Sequence, residues 1–394
     1  MLKNFSFAQF CSSILRKGPL VLGVLGLAFS ASAQEPRIIT FNAPGADMTA
    51  GSFNGTYPQA LNDAGVIAGA YSDSSNGLHG FVRTREGKIT TFDAPGTVTG
   101  ANAFTNPRSL NLEGVIVGGL YDAENKVHGF RRSPDGQFIT LVAPGECTTS
   151  QDVGCHGTGA WDVNNFGTIV GPFEDNNGNF VAHTYIHTPD GKFTIFEVPG
   201  SSMEAGQGTL PATSSGLNKW GAVTGLYYDA NNAFHGYVRY PNGSFSTFEA
   251  PGADTTVPFN GTFPQALNDF GAITGYYIDV NEVFHGFIRG PEGTFTTFDA
   301  PGADTGSAYS GTYPVNINLL GAVTGYFLDA KGVFHGFVRG SDGKFATFDA
   351  PGADTNAGDY NGTFPTNINV SGEITGSFID ATNVYHGFVR NPGH

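Results

Sequence analysis

The chain repeats itself about every fifty residues, and three landmarks recur in a fixed order along its length. A Pro-Gly step, an Asn-x-x-Gly-x-x-x-Gly motif and a His-Gly-Phe triplet or a variant of it each occur once per repeat, seven times in all, and one further Pro-Gly step stands at Pro392. They begin at Pro44, Pro95, Pro144, Pro199, Pro251, Pro301 and Pro351, at Asn62, Asn111, Asn164, Asn218, Asn268, Asn318 and Asn369, and at His79, His128, His183, His235, His285, His335 and His386. A period of this length indicates seven copies of one supersecondary unit.

Each unit contains four short segments rich in β-branched and aromatic residues. In the sixth repeat they are residues 313–318, 321–329, 333–339 and 344–349, bounded by Gly, Asn and Asp. No stretch has a helical period, so the segments are predicted strands, here lettered A to D. Four antiparallel strands per repeat is typical of a β-propeller blade. The sequence therefore predicts an all-β, seven-bladed β-propeller, with an open β-solenoid as the alternative.

The two ends of the chain favour a closed ring. Residues 38–42 match strand D but precede the first strand A, whereas the last repeat stops after its strand C at residues 385–390. We expect the N-terminal strand to pair with the last blade, which removes both exposed sheet edges. The repeats then start near residues 38, 89, 138, 193, 245, 295 and 345.

The C–D connections fix the register of the outer strands. Six of them end in a Gly suited to the left-handed position of a short hairpin, for example Ser341-Asp342-Gly343. This register predicts a histidine facing a carboxylate in five blades: His79 and Asp93, His183 and Glu197, His235 and Glu249, His285 and Asp299, His335 and Asp349. It also predicts that Phe327 and Phe348 flank Gly336, and that Phe378 and Phe41 flank Gly387.

Recurrence argues for a structural role of these polar residues. A His beside a carboxylate can act as a general base or a metal ligand, but a site acts once and this pair recurs around the ring. We interpret the pairs as cross-strand contacts, the Asn of Asn-x-x-Gly as a turn-stabilising residue, and Asp329 and its equivalents as Asx turns. Weak calcium binding at these aspartates is the alternative; otherwise we expect no metal and no cofactor.

The N-terminus has the layout of a secretory signal peptide. Lys3, Arg16 and Lys17 precede an apolar run over residues 20–29 and the small residues 31–33. We expect a signal peptide over residues 1–33 and a secreted or periplasmic propeller over residues 34–394. Without the leader, 16 basic residues face 34 acidic ones, a net charge of −18. Such a chain repels nucleic acids and anionic membranes, so we expect neither as a partner, and we expect a monomer.

Two cysteines remain after the leader, Cys147 and Cys155, eight residues apart. In an oxidising compartment this spacing favours a local disulfide, and a metal site would need more ligands nearby.

The core Ile317-Asn318-x-x-Gly321-x-x-x-Gly325, followed by His335-Gly336-Phe337, resembles a family of bacterial extracellular repeats named for a His-Ala-Phe triplet. The likeness spans residues 38–390. It departs from the family in having Gly in place of Ala, and in the third repeat, where the triplet is His183-Thr184-Tyr185. The resemblance implies an exported bacterial propeller and carries over no catalytic residue.

A unique site requires unique residues, and these lie in the irregular D–A loops of blades two to four. The candidates for a ligand-binding face are Arg108, His156, Trp161, Asp162 and Glu204. We expect a non-catalytic binding or scaffold module for an extracellular carbohydrate, peptide or protein. The alternative is a hydrolase or lyase acting on an extracellular polymer, although no nucleophile elbow, metal cluster or phosphate loop is present to support it.

Overall fold

The computed structural model describes residues 36–124, 126–147, 157–175, 181–204, 206–357 and 361–393. The described part of the chain is almost entirely β-structure, with one short 3₁₀ helix at Gly100–Asn102. None of its helices has the length and apolar composition needed to cross a bilayer. The predicted signal peptide lies outside the described residues.

The strands follow the predicted order of four short segments per repeat. The first half of the chain contains β1 (Arg37–Phe41), β2 (Thr56–Leu61), β3 (Ile67–Ser72), β4 (Leu78–Arg83), β5 (Ile89–Phe92), β6 (Thr105–Leu110), β7 (Ile116–Tyr121), β8 (Val127–Arg132), β9 (Phe138–Leu141), β10 (Asp162–Val163), β11 (Ile169–Glu174), β12 (Ala182–His187) and β13 (Phe193–Phe196). The second half contains β14 (Thr209–Pro211), β15 (Val223–Tyr228), β16 (Phe234–Arg239), β17 (Phe245–Phe248), β18 (Thr262–Leu267), β19 (Ile273–Ile278), β20 (Phe284–Arg289), β21 (Phe295–Phe298), β22 (Gly311–Ile317), β23 (Val323–Leu328), β24 (Phe334–Arg339), β25 (Phe345–Phe348), β26 (Thr363–Ile368), β27 (Ile374–Ile379) and β28 (Tyr385–Asn391).

These strands form antiparallel four-stranded groups. Among the described residues, β2–β5, β6–β9, β10–β13 and β14–β17 are separate sheets, and β18–β25 form one eight-stranded sheet. The eight-stranded sheet consists of two such groups joined by a single parallel pair, Phe284 with Gly311. Parallel bridges of the same kind link other neighbouring groups, for example Phe234 with Gly261. A Cβ on Gly261 would lie 2.0 Å from the Phe234 carbonyl oxygen, which explains the glycine at the start of strand A.

The first strand of the chain pairs with the last. The sheet order is β1-β28-β27-β26, and Phe41 lies opposite Gly387, the predicted partner. A Cβ on Gly387 would lie 2.8 Å from the Phe41 ring and 3.0 Å from Pro58 of the first repeat. The glycine is therefore needed because two large side chains cover its backbone.

The predicted positions of Phe327 beside Gly336 and of Phe378 beside Gly387 are both wrong by one residue. Gly336 pairs with Phe348 on one side, as expected, but with Tyr326 on the other, and Phe327 lies opposite His335. The B–C turn spans residues 329–333, longer than the tight turn assumed from the sequence. A slip of one residue exchanges the faces of a strand, so Phe327 stacks on the imidazole ring of His335, with 5.2 Å between centroids.

The core lies between neighbouring sheets. The Phe of each His-Gly-Phe triplet, or the Tyr in its place, is almost completely buried: Phe81, Phe130, Tyr185, Tyr237, Phe287, Phe337 and Phe388. One apolar cluster joins Val389 and Ile39 from the two chain ends to Leu61, Ile67 and Phe81. The triplet therefore supplies the packing between units, with about 1.5–3 kcal/mol of stabilisation for each fully buried large side chain.

Candidate functional site

The recurring asparagines of the Asn-x-x-Gly motif form a ring of hydrogen bonds at the A–B turns. Each Oδ1 accepts backbone N–H groups of its own turn, as predicted; Asn268, for example, binds the N–H groups of Phe270 and Ala272 at 3.0 Å. Each Nδ2 also donates to the backbone carbonyl of the next asparagine, a contact the sequence did not reveal. The chain of donors runs Asn62, Asn111, Asn164, Asn218, Asn268, Asn318, Asn369 and back to Asn62, with distances of 3.0–3.5 Å.

A cavity of about 190 Å³ opens at this ring and is lined by six of the seven asparagines, with Leu217 and Lys219 on either side of the seventh, Asn218. The turns that contain these six asparagines therefore lie beside one cavity. Ser109 and Asp162 also line the cavity.

Asp162 lies inside the protein and not on a ligand-facing loop, contrary to the prediction. It is buried, and its carboxylate accepts the Ser109 hydroxyl at 2.6 Å and the backbone N–H groups of Val163 and Leu217 at 2.8 and 2.9 Å. Burial raises the pKa of Asp162 to about 6, while these hydrogen bonds oppose the rise. The side chain thus joins three consecutive repeats, which explains its singular position without a ligand.

Arg108 and Trp161 lie together. The Arg108 guanidinium carbon is 5.4 Å from the centroid of the Trp161 ring, a cation–π distance. Burial lowers the pKa of Arg108, and within the described residues its side chain forms no ion pair. These two residues are the part of the predicted sector that the structure brings into contact.

The other predicted residues of this sector either lie apart from Arg108 and Trp161 or fall outside the described residues. Glu204 is exposed on the loop before β14. Cys147 is buried and disulfide-bonded. Its predicted partner Cys155 and the candidate His156 lie outside the described residues.

Six of the seven repeat histidines lie between two polar partners, whereas the Nδ1 atom of His128 is buried without one. In the five predicted pairs, Nδ1 contacts the carboxylate after strand D: Asp93 at 2.7 Å, Glu197 at 2.5 Å, Asp299 at 2.9 Å, Asp349 at 2.8 Å, and Glu249. Nε2 faces the aspartate that opens the B–C turn, at 2.7–3.6 Å in all seven repeats. That aspartate also caps the turn; Asp329 Oδ1 accepts the N–H groups of Lys331 and Val333.

The hydrogen bonds raise the pKa of several of these histidines. The bond to Glu249 raises the pKa of His235, and the bond to Asp299 raises that of His285, in both cases against the effect of burial. Within the described residues, no group of three or more His, Cys, Asp or Glu side chains could hold a metal ion. The hydrogen bonds of the histidine therefore link the aspartate of the B–C turn to the carboxylate after strand D.

The regular D–A loops, and not only the irregular ones, present large aromatic side chains to solvent. Phe53, Phe259 and Tyr309 are 55%, 60% and 65% exposed. Each has a left-handed backbone, with φ of 55°, 68° and 60°. A bulky residue rarely adopts this conformation, which costs on the order of 1–3 kcal/mol. Neither burial nor backbone preference explains an aromatic residue at these positions.

Neighbouring repeats hold these loops in place. The N–H groups of Phe53, Phe259 and Tyr309 donate to carbonyls in the B–C turn of the preceding repeat, those of Asn383, Asn232 and Glu282, at 2.8–3.0 Å. The D–A loops and B–C turns therefore share one face, here called the loop face. Phe53 docks on the last repeat.

A pair of aromatic rings from two repeats lies beside each of these loops. The pairs are Tyr57 with Tyr385 (4.9 Å between centroids), Phe263 with Phe234 (4.6 Å) and Tyr313 with Phe284 (4.7 Å). The hydroxyls of Tyr57 and Tyr313 donate to the carbonyls of Phe53 and Tyr309. A bond from the Tyr309 hydroxyl to Glu282 raises the pKa of that tyrosine. Each junction thus combines an exposed ring with a supporting ring pair, and the junctions at Phe53 and Tyr309 add a tyrosine hydroxyl.

No family model matches the chain, and no curated protein matches it. Solved structures do. The propeller domain of the Trilobed protease from Pyrococcus furiosus is 10% identical with a TM-score of 0.53, over 85% of this chain and 95% of that one. The BP39L lectin from Burkholderia pseudomallei is 10% identical with a TM-score of 0.52, over 92% and 98%. A puromycin hydrolase is 12% identical with a TM-score of 0.50, over 82% of this chain and 50% of that one. These likenesses show a β-propeller fold.

Proposed function

We propose that this chain is a secreted, seven-bladed β-propeller that binds carbohydrate through the exposed aromatic residues of its loop face and has no catalytic role. Closure is supported by the pairing of β1 with β28 and by the asparagine ring, which returns from Asn369 to Asn62. Secretion rests on the layout of residues 1–33.

The binding function is supported mainly by the unfavourable free energy of the conformation that Phe53, Phe259 and Tyr309 adopt. Each side chain is exposed and each backbone is strained. Strain of this kind persists at ligand-binding positions, where the surrounding structure enforces it. A left-handed backbone favours Asn or Gly at these three positions. Ligand binding therefore accounts for the aromatic side chains found there.

The chemistry of the junctions fits a sugar. A pyranose has an apolar face of C–H groups that packs on an aromatic ring, and hydroxyls at its edge that need polar partners. Polar side chains lie at two of the junctions: Glu282 beside Tyr309, and the hydrogen-bonded amides of Asn54 and Asn76 next to Phe53. Such a site is small, and repetition around the face raises avidity for a polymer that reaches several junctions.

The test is binding of the mature protein to a panel of immobilised oligosaccharides and polysaccharides. The triple variant Phe53→Asn, Phe259→Asn, Tyr309→Asn should lose at least tenfold in apparent affinity for any glycan the wild type binds. Phe270→Asn is the matched control, because this aromatic is 69% exposed but follows Asn268 at the A–B turn, away from the loop face. Equal binding by wild type and triple variant, or no binding by the wild type, would contradict the proposal.

Two further arms separate the alternatives. Trp161→Ala tests the irregular sector; loss of binding in this variant alone would return the site to Arg108 and Trp161. Release of reducing ends from a bound polysaccharide would favour the hydrolase or lyase alternative.

A further inference from the structure

A second cavity, of about 400 Å³, lies at the junction of the first and last repeats. Arg37 of β1, Arg83 of β4 and Arg85 of the following loop line it, together with Glu373 and Pro392 of the last repeat. Three guanidinium groups thus face one carboxylate, in a chain whose net charge is −15. This local excess of positive charge runs against the charge of the whole protein.

Only one of the three guanidinium groups has a carboxylate partner among the described residues. Arg85 Nη2 lies 2.7 Å from Glu373 Oε1. Arg83 is 7% exposed and stacks on the Phe41 ring at 4.8 Å; its Nη1 donates to the Thr84 carbonyl, and its buried Nε has no partner. Arg37 forms no ion pair within the described chain. Arg83 shares its unpaired Nε with the equivalent arginines of other repeats, for example Arg339, and Arg37 adds a second unpaired charge at this junction.

Stacking alone does not explain the cluster. The equivalents of Arg83 stack in the same way elsewhere; Arg339, for example, lies 5.1 Å from the Phe298 ring. At that junction, however, Thr294 and Ser341 stand where Arg37 and Arg85 stand here. The extra two arginines are confined to the junction that joins the chain ends.

We infer that this cavity binds the oxyanion of a small ligand, either a free inorganic oxyanion or the carboxylate of an acidic sugar. Planar guanidinium groups donate two parallel N–H groups to such an oxyanion, and stacking on Phe41 orients the plane of Arg83. A cavity of this volume admits a ligand of monosaccharide size. The bound anion contacts both β1 and the first repeat, so it stabilises the closed junction. The site is separate from the loop face.

The test is isothermal titration calorimetry of the full mature chain with inorganic phosphate and with glucuronate, at constant ionic strength. We expect one site. Arg37→Gln, at an exposed position, should weaken binding at least tenfold, and Arg83→Lys should do the same by removing the planar fork. Arg339→Lys, the matched control, makes an equivalent change where no cavity is lined by three arginines, and should bind like the wild type.

Tighter binding of glucuronate assigns the site to acidic sugars, and tighter binding of phosphate assigns it to free oxyanions. Absence of binding to both probes, or equal affinities for Arg37→Gln and wild type, would overturn the inference. The triple variant of the loop face should bind phosphate with wild-type affinity. The oxyanion site and the carbohydrate site can therefore be refuted separately.

Discussion

Arg85 and Glu373 form an ion pair across 288 residues of sequence, with 2.7 Å between Nη2 and Oε1. Arg85 belongs to the first repeat and Glu373 to the last. The glutamate side chain is only 8% exposed, and its second oxygen accepts the Nδ2 group of Asn369 at 2.7 Å. The pair therefore links the chain ends beside the asparagine ring.

Removing Arg85 should destabilise the protein, because it leaves a buried carboxylate with one partner fewer. We expect Arg85→Ala to lower the free energy of unfolding by about 1–3 kcal/mol, measured by urea denaturation. The exposed pair of Lys344 and Asp342 provides the comparison, and Lys344→Ala should have a much smaller effect on the free energy of unfolding. Equal effects of the two variants would show that the junction pair contributes nothing particular.

We expect the aromatic residues with a left-handed backbone to contribute to ligand binding and to lower the stability of the fold. Phe259→Asn places a residue that tolerates φ of 68° in the same loop, and we expect the free energy of unfolding to rise by about 1 kcal/mol. Phe270→Asn relieves no such strain and should leave stability within about 0.5 kcal/mol. A marked loss of stability in Phe259→Asn would mean that the ring serves packing.

The asparagine ring can be tested at one bond. In Asn268→Asp the turn keeps its Oδ1 acceptor, but a carboxylate oxygen replaces the Nδ2 donor that bonds the Asn318 carbonyl at 3.1 Å. We expect a loss of about 2 kcal/mol at pH 7. Burial and the facing carbonyl raise the pKa of the new carboxyl above its ordinary value, so lowering the pH protonates it and supplies an O–H donor. Part of the loss should therefore be recovered at acidic pH, relative to wild type at the same pH. A loss independent of pH would contradict this account of the bond.

The histidine–carboxylate pairs make stability depend on pH. The folded-state pKa values of His235 and His285 are raised, so their stabilisation is complete below the unfolded value of about 6.5 and is lost as pH rises through the folded values. Wild-type stability should therefore decrease from pH 6 into the alkaline range, and the double variant His235→Gln, His285→Gln should decrease less. Burial lowers the pKa of His187, so His187→Gln should remove a contribution of the opposite sign.

Much of the fold follows from the period of the sequence. The landmarks located the strands, and the spare strand over residues 38–42 predicted the partner of Gly387, because repeats impose equivalent pairings. The position of Phe327 was missed because it depends on the length of the B–C turn, and turn length is not visible in a pattern of alternating residues.

The candidate site was harder to predict for two physical reasons. The Nδ2 bonds of the asparagine ring and the pair of Arg85 with Glu373 join different repeats, and contacts between repeats leave no trace in the pattern within one repeat. The exposed rings of Phe53 and Phe259 lie in the regular loops, and their significance comes from exposure and backbone conformation, which the sequence does not display.

Closure of the ring by β1 is the claim on which the other conclusions depend, and hydrogen exchange of the β1 amides tests it most directly. If β1 is an integral strand, its hydrogen-bonded amides should exchange only through global unfolding, as slowly as those of β27 and with the same dependence on denaturant. Exchange of the β1 amides many orders of magnitude faster than those of β27, with no dependence on denaturant, would show a frayed end and contradict the closed ring.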